Sequence, residues 1–562
     1  MSAVWLLLAA VLAHGVGSSF TTAADFVESN TFAWNSPTPG RSLSQTEEQW
    51  AALDDLFDGV LRGDTSQVQE ALDAGADVNA QNINKQTALW GAVALGNLEV
   101  TQLLLDNGAN PNITDISKYA PLTIAAIQDE IPDQLGLLQA LIDNGASLEA
   151  KAPRSENGET ALGLVAGNGN VQAVKLLLEA GADPETANSD GQTPLSVASF
   201  FGHSEVVREL ISSSSVELNT KDEGGNTPLH YSAQAGNDEV TGLLIQAGAD
   251  VDAVNEGKET PLMVSIRWGG DMRTVTTLIS GGADSSIKDE GGLAPIHDAA
   301  TLGYSQVIDA LVKGGGDVDA QTDGEELTPL HLAVETLKGQ TVLELLGLGA
   351  NVGLTTSTSL TPLHVTPLNM GSEGIALALI ASGSNIDALS NSSWTPLHFA
   401  AYWGNEKVME VLVERGANVE AKAEDGKTPR DLVCQCEEAE VLADLSEHLK
   451  SARYCPVGAC ESEAQSLGLL ELLKAPEKEE ALLEGSVQPL NPAAELEISS
   501  QVKMNTPKVE EDFGEDIIDF EVAGSPALES LPVFPHKFGS AKDPPRKARR
   551  NESGAHQGIF QV

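Results

Sequence analysis

The sequence predicts an all-α fold: a solenoid of stacked helix pairs, led by a flexible N-terminal segment and followed by a disordered tail. Two observations carry the prediction. An opening of threonine, proline, leucine and histidine, or a near variant of it, starts at Thr87, Ala120, Thr160, Thr193, Thr227, Thr260, Ala294, Thr328, Thr361, Thr395 and Thr428, with gaps of 33, 40, 33, 34, 33, 34, 34, 33, 34 and 33 residues. Each opening is followed by two short apolar stripes at helical spacing. Neither can bury itself, so neighbouring copies must share a core. The period gives ten full units with a divergent half-unit before and another after, so units 1 to 12 run from about residue 47 to 450.

The copy from Ser393 to Lys422 shows why one unit folds. Thr395 caps a helix with its hydroxyl, and Pro396 takes the first helical position, where a missing N–H costs nothing. Leu397, Ala400 and Ala401 form an apolar face whose small residues admit a close neighbour, and Gly404 is placed to end the helix in the left-handed conformation. Val408, Val411, Leu412 and Val413 supply a second stripe, Gly416 closes it, and Ala417 to Val419 lead into an extended arm. Together these features resemble the ankyrin repeat, a hairpin plus two antiparallel helices, over roughly residues 47 to 450.

That resemblance implies protein recognition. In the family, the hairpin tips and the two residues before the helix-ending glycine line a concave groove. By position this implies Phe200 and Phe201, Arg267 and Trp268, Thr301 and Leu302, and Tyr402 and Trp403 as partner-binding residues. Aromatics with an arginine are the usual anchors of an interface, the alternative being that one member of each pair packs between units. The fourth position of the opening holds His230, His297, His331, His364 and His398. The resemblance implies that these imidazoles link neighbouring loops, not that they bind metal.

In chain order, Ala3 to Ala13 form an uninterrupted apolar run as long as a signal-peptide core and too short to span a bilayer. Residues 1–19 therefore read as a secretory signal peptide, which would place the protein in the secretory pathway or outside the cell. The alternative is a frayed terminus on a cytoplasmic protein, since no Lys or Arg precedes the run. Residues 20–46, rich in Ser, Thr, Pro and Asn, read as a flexible linker. Leu53, Leu56, Phe57 and Val60 then give a capping helix one apolar face, with Asp54, Asp55 and Asp58 turned outward.

Three irregularities interrupt the array. Extra residues around Asp129 to Pro132 and from Ala152 to Gly158 account for the 40-residue gap. In unit 9 Leu337 stands where a glycine should end the first helix, and in unit 10 Pro367 falls inside that helix. Units 9 and 10 are therefore expected to bend or to open early.

After Lys450 the period is lost, and residues 451–562 read as a disordered acidic tail with a basic cluster from Pro544 to Arg550. All four cysteines, Cys434, Cys436, Cys455 and Cys460, fall near this junction; a disulfide, free thiols and a zinc site all stay open. Three sequons mark Asn112, Asn391 and Asn551 as N-glycosylation candidates, which acquire meaning only with a signal peptide.

The chain carries 82 Asp and Glu against 32 Lys and Arg, a formal net charge of −50, concentrated in the repeats and decorating hairpin tips such as Asp190, Glu223, Glu290 and Asp323. Nucleic acid and anionic membrane would both be repelled, so neither is expected as a partner; a protein with a basic surface is. No catalytic constellation appears. Gly426, Lys427 and Thr428 resemble the end of a phosphate loop, but the required earlier glycine is Ala421, and no cofactor is implied. The expected function is that of a non-enzymatic, monomeric scaffold or adaptor. The alternatives are an inhibitor masking a basic region of its partner and a substrate-recruiting subunit of an enzyme complex.

Overall fold

The computed structural model describes residues 47–433, apart from 129–132, 154–156, 214 and 270. The signal segment, the linker, the four cysteines, Asn551 and the tail lie outside the described residues. So do the insertion at 129–132 and part of the one beginning at Ala152. Among the described residues the elements are 22 α-helices and two 3-10 turns, with no strand.

These helices form the expected stack. In unit 11 the first helix is Pro396–Trp403 and the second Glu406–Glu414; Thr395 caps the first, Gly404 ends it at φ 68°, and Val408, Met409, Val411 and Leu412 are buried from the second. First helices are buried along almost their whole length, and each packs on the first helices of the units before and after. Second helices pack on their counterparts in the same way, which gives two layers around one continuous core. Unit 1 is fuller than the expected half-unit, since helix Glu47–Arg62 is followed by a second helix, Thr65–Asp73. Its Leu53, Leu56, Phe57 and Val60 are buried while Asp54 and Asp55 face solvent, as a cap requires.

Polar side chains stitch each unit to the next, because every helix end leaves backbone groups without intrahelical partners. The histidines span the joint between a helix and the following hairpin. In unit 9, His331 Nδ1 accepts from the Thr328 amide at 3.2 Å, and its Nε2–H donates to the Leu360 carbonyl of unit 10 at 3.0 Å. His230 reaches Glu259, His297 reaches Ala320, His364 reaches Ala388 and Trp394, and His398 reaches Lys427 in the same manner. An amide donor fixed on Nδ1 requires the neutral ring with its proton on Nε2. Burial accordingly lowers the pKa of His230, His297 and His398, and pushes that of His331 down to about 4.

Further stitches come from three other places. The residue before a second helix donates back to the preceding unit: Asn237 Nδ2 bonds the Ser199 and Phe200 carbonyls at 3.0 and 2.9 Å. Hairpin tips are linked by single backbone bonds, such as Glu256 N–H to Gly224 O at 2.9 Å and Glu290 N–H to Gly257 O at 3.0 Å. Carboxylates on the exit loops accept from the next exit loop, as Asp252 does from the Asp284 amide at 2.8 Å.

Units 9 and 10 deviate where the sequence indicated. Leu337 adopts the left-handed conformation of the glycine it replaces, at φ 56°. In unit 10 the first helix shortens to Pro362–Val365 and runs into a 3-10 turn, Thr366–Leu368, because Pro367 has no N–H to continue the ladder. The freed groups are taken up locally. Thr366 Oγ1 donates to the Leu363 carbonyl at 2.9 Å, which is the carbonyl a non-proline residue at 367 would have bonded. Ser372 Oγ donates to the Thr366 and Asn369 carbonyls at 2.5 and 2.7 Å. Asn405 of unit 11 reaches the Pro367 and Asn369 carbonyls at 3.3 and 3.0 Å. The break is thus bonded from both sides.

Left-handed backbone costs a leucine roughly 1 kcal/mol or more relative to glycine. Leu337→Gly should therefore stabilise the repeats by about 1 kcal/mol, read as a rise in the urea midpoint of the transition that includes unit 9; an unchanged or lowered midpoint would show that the turn is not strained.

Candidate protein-binding face

The face of interest is built from the hairpins and the C-terminal ends of the first helices. Its floor is a chain of polar side chains running without a gap from unit 4 to unit 8. Asn188 Nδ2 donates to Glu159 Oε1 at 2.6 Å and to Gln192 Oε1 at 2.9 Å, and Gln192 Nε2 donates to the Tyr231 hydroxyl at 2.7 Å. Tyr231 in turn donates to Asp222, whose other oxygen accepts the Gly224 and Asn226 amides of its own hairpin. Asn255 then joins Asn226 at 3.1 Å to Glu259 at 2.8 Å.

Arg267 closes this chain. Its guanidinium meets Glu259, Asp289 at 2.6 Å and Asp298 at 2.9 Å, so one cation is surrounded by three carboxylates. Burial raises the Asp298 carboxyl to about 6 in spite of the arginine, and burial raises Glu159 to about 7. The guanidinium itself is pulled down by burial but held well above its ordinary value by the carboxylates, so it stays charged. Because Arg267 leaves the end of a first helix and touches carboxylates at two hairpin bases, helix ends and hairpins share one face.

The four residue pairs inferred from the sequence are placed unequally. In units 5, 7 and 8 the two members divide the work. Phe200 leans edge-on against Tyr231 at 6.2 Å, Arg267 lies in the floor, and Thr301 donates to the His297 carbonyl of its own helix at 2.9 Å. Their neighbours Phe201, Trp268 and Leu302 stand in solvent, 36%, 46% and 38% exposed.

Unit 11 corrects the expectation. Tyr402 and Trp403 are 1% and 5% exposed, so neither is available as a surface anchor. The reason is Trp394, which occupies the hairpin-base position filled by Glu259 in unit 7. Its ring packs against Phe399 at 5.1 Å and Tyr402 at 5.5 Å, and Tyr402 packs edge-on against Trp403 at 5.3 Å. The pair belongs to an aromatic core cluster.

Two exposed residues that sequence reasoning did not single out as binding residues extend the apolar row. Leu337 and Met370 occupy the helix-ending glycine position of units 9 and 10 and are 41% and 47% exposed. Phe201, Trp268, Leu302, Leu337 and Met370 thus form a row at one residue per unit from unit 5 to unit 10, with only the small Ala235 in unit 6. The signal was available, because an apolar residue at a glycine position nine residues after the opening has no core to enter. A second row lies at the hairpin tips: Asp190, Glu223, Glu256, Glu290 and Asp323, again one per unit, from unit 5 to unit 9. Among the described residues only Asp323 of this row meets a basic side chain, Lys288 at 2.6 Å.

Other candidates fall elsewhere. Asn112 is exposed, but its amide works in the exit ladder: Nδ2 donates to the Gly145 carbonyl at 2.9 Å and Oδ1 accepts from Ser147 at 2.7 Å. Asn391 is exposed at a hairpin and accepts from the Ser359 hydroxyl at 2.7 Å. Among the described residues no group of three or more His, Cys, Asp or Glu is arranged to hold a metal, and no helix is long and apolar enough to cross a membrane.

Removing the cation from the floor gives a direct test of its electrostatics. Arg267→Met would leave Glu259, Asp289 and Asp298 facing one another. With Arg267 about a quarter exposed, the expected cost at pH 7 is about 2–4 kcal/mol. Without the arginine the Asp298 carboxyl, already raised by burial, loses the cation that lowers it, so the folded state binds an extra proton there and the deficit must shrink as pH falls from 7 to 5. Urea midpoints of both proteins at the two pH values measure this; a deficit that grows on acidification would contradict the assignment.

Comparison with known proteins agrees with the geometry. The family model described as ankyrin repeats (3 copies) matches residues 56–152, 132–222, 214–289, 268–356 and 337–423. Similar proteins include Protein glp-1 of Caenorhabditis elegans, 33% identical over 27% of this chain and 12% of that protein. The probable E3 ubiquitin-protein ligase XBOS34 of Oryza sativa subsp. japonica is 35% identical over 23% of this chain and 24% of its own. Ankyrin repeat and SOCS box protein 6 of Homo sapiens is 35% identical over 21% of this chain and 29% of its own. The chain thus spans less than a third of the length of each of these relatives. Among solved structures, the ankyrin repeat domain of Bcl-3 is similar at 25% identity and a TM-score of 0.36, covering 41% of this chain and 98% of that one. With family matches spanning well over half of its length, the chain belongs to the ankyrin repeat family.

Proposed function

We propose that this protein is a non-enzymatic scaffold or adaptor that binds a basic segment of a partner protein across units 5 to 10. Ankyrin repeats mediate protein–protein interaction, and the finer reading rests on one observation: an exposed apolar row beside an acidic row, both at unit spacing. Exposed aromatic and aliphatic side chains over a fixed polar floor have the character of interface anchors, and the tip carboxylates would steer and orient a basic partner. Nothing in the floor supplies a nucleophile or a proton-transfer pair beside open space; its carboxyls are taken up by Arg267, Asn188 and Tyr231.

A second reading, a substrate-recruiting subunit of an enzyme complex, is favoured by the names of two relatives, a probable E3 ubiquitin-protein ligase and a SOCS box protein. It uses the same face and differs only in what else joins the complex.

Capture from native cells tests the proposal. The tagged full chain is compared with the double variant Trp268→Ala and Leu302→Ala, and with Leu343→Ala on a second helix as a control of equal exposure. The double variant should recover at least tenfold less of the partner while melting as the wild type does, and the control should recover it fully. Equal recovery by all three would exclude this face. A ligase or another catalytic chain among the captured proteins would favour recruitment.

A further inference from the structure

The two rows carry more information than the presence of a partner, because they share a period. Resting on the reading above, we infer that the partner segment is an extended chain in the polyproline II conformation, with an apolar and a basic residue in every three, laid one triplet per unit along units 5 to 10. Three physical constraints lead there.

The first is pitch. Consecutive first helices pack directly on one another, so the rows repeat at about 8–10 Å, the ordinary distance between packed helices. A polyproline II chain rises ~3.1 Å per residue with three residues per turn, which returns the same face about every 9 Å. A β-strand returns the same face about every 6.7 Å and falls out of register within two units. An α-helix matches only at every second turn, about 10.8 Å, using seven residues where the surface offers two contacts.

The second is width. Arg267 leaves the helix end next to Trp268, and its guanidinium already touches Glu259 and Asp289 at the hairpin bases, the second of them adjacent to the tip residue Glu290. One arginine side chain therefore crosses most of the strip between the rows. A helix about 10–12 Å across does not fit into such a strip, whereas an extended backbone does.

The third is charge. Four of the five tip carboxylates, those of Asp190, Glu223, Glu256 and Glu290, meet no basic side chain among the described residues, and in units 5, 7 and 8 they share a unit with Phe201, Trp268 and Leu302. A segment with one basic and one apolar residue per turn satisfies both rows at once and leaves its third residue in solvent. The conformation is also populated before binding, so little entropy is lost on docking.

Binding of labelled synthetic peptides to the full chain, followed by fluorescence anisotropy, tests this. The probe is an 18-residue peptide of six Leu-Pro-Arg triplets. The comparisons are a permuted peptide of the same composition with the period broken, and a helix-forming peptide with Leu and Arg seven residues apart in an alanine background. The triplet peptide should bind at least tenfold more tightly than either, and Trp268→Asp and Leu302→Asp should each weaken it at least tenfold. Both substitutions are at exposed positions, and circular dichroism checks that the variants keep their fold. Equal binding of the permuted peptide would reduce the interaction to charge attraction and overturn the inference. Tighter binding of the helical peptide, still sensitive to Trp268→Asp, would overturn the extended conformation and leave the face intact. Binding of every peptide unaffected by either substitution would overturn both.

Discussion

No unit of this chain can close its own core, and the interaction that makes the stack definite is the neutral imidazole bridge. Leu, Val and Ala side chains supply the free energy of stacking, but apolar contact alone would tolerate sliding of one unit on the next. His331 does not tolerate it, because its two ring nitrogens are committed to backbone groups of different units, the Thr328 amide and the Leu360 carbonyl. Repetition of that bridge at His230, His297, His364 and His398 holds the hairpins of units 7, 9, 11 and 12 over the first helix before each. These bonds set the hairpins that carry Glu256 and Asp323, and the backbone bonds from tip to tip join them to the hairpins of Glu223 and Glu290.

The acidity of the repeats divides by the same logic into structural and free carboxylates. Asp252, Asp319 and Asp387 accept from the next exit loop, Asp222 and Asp289 close their own hairpins, and Asp64 and Asp271 cap second helices. These groups account for a share of the charge without any partner. The tip residues do not, since their backbone makes the inter-unit bond while their side chains project beyond it. Only this second class bears on recognition, and its unbroken run, one per unit, lies in the stretch that also carries the apolar row.

Much of this was legible in the sequence because the signals are local. The threonine cap, the proline at the first helical position, the glycine at the helix end and the histidine four residues into the opening each act within one or two turns, so their spacing alone fixed the units. Even the faults were legible: Leu337 and Pro367 were visible as departures from a strict pattern. What was not legible depends on contacts between units. The same two positions before the glycine expose Trp268 in unit 7 and bury Trp403 in unit 11, and the difference lies in Trp394, several residues upstream. Likewise the chain from Glu159 to Arg267 joins side chains 29 to 39 residues apart, through rotamers that no periodicity encodes.

The proposed binding face is the hairpin side of units 5 to 10 and not the second-helix side. Site-specific photo-crosslinking reads this directly, with a benzophenone amino acid placed at Trp268 in one protein and at Leu343 in another, both exposed and both expressed in native cells. A discrete adduct of defined mass from position 268, absent from position 343, is the predicted result. An adduct from position 343 with none from 268 would contradict it.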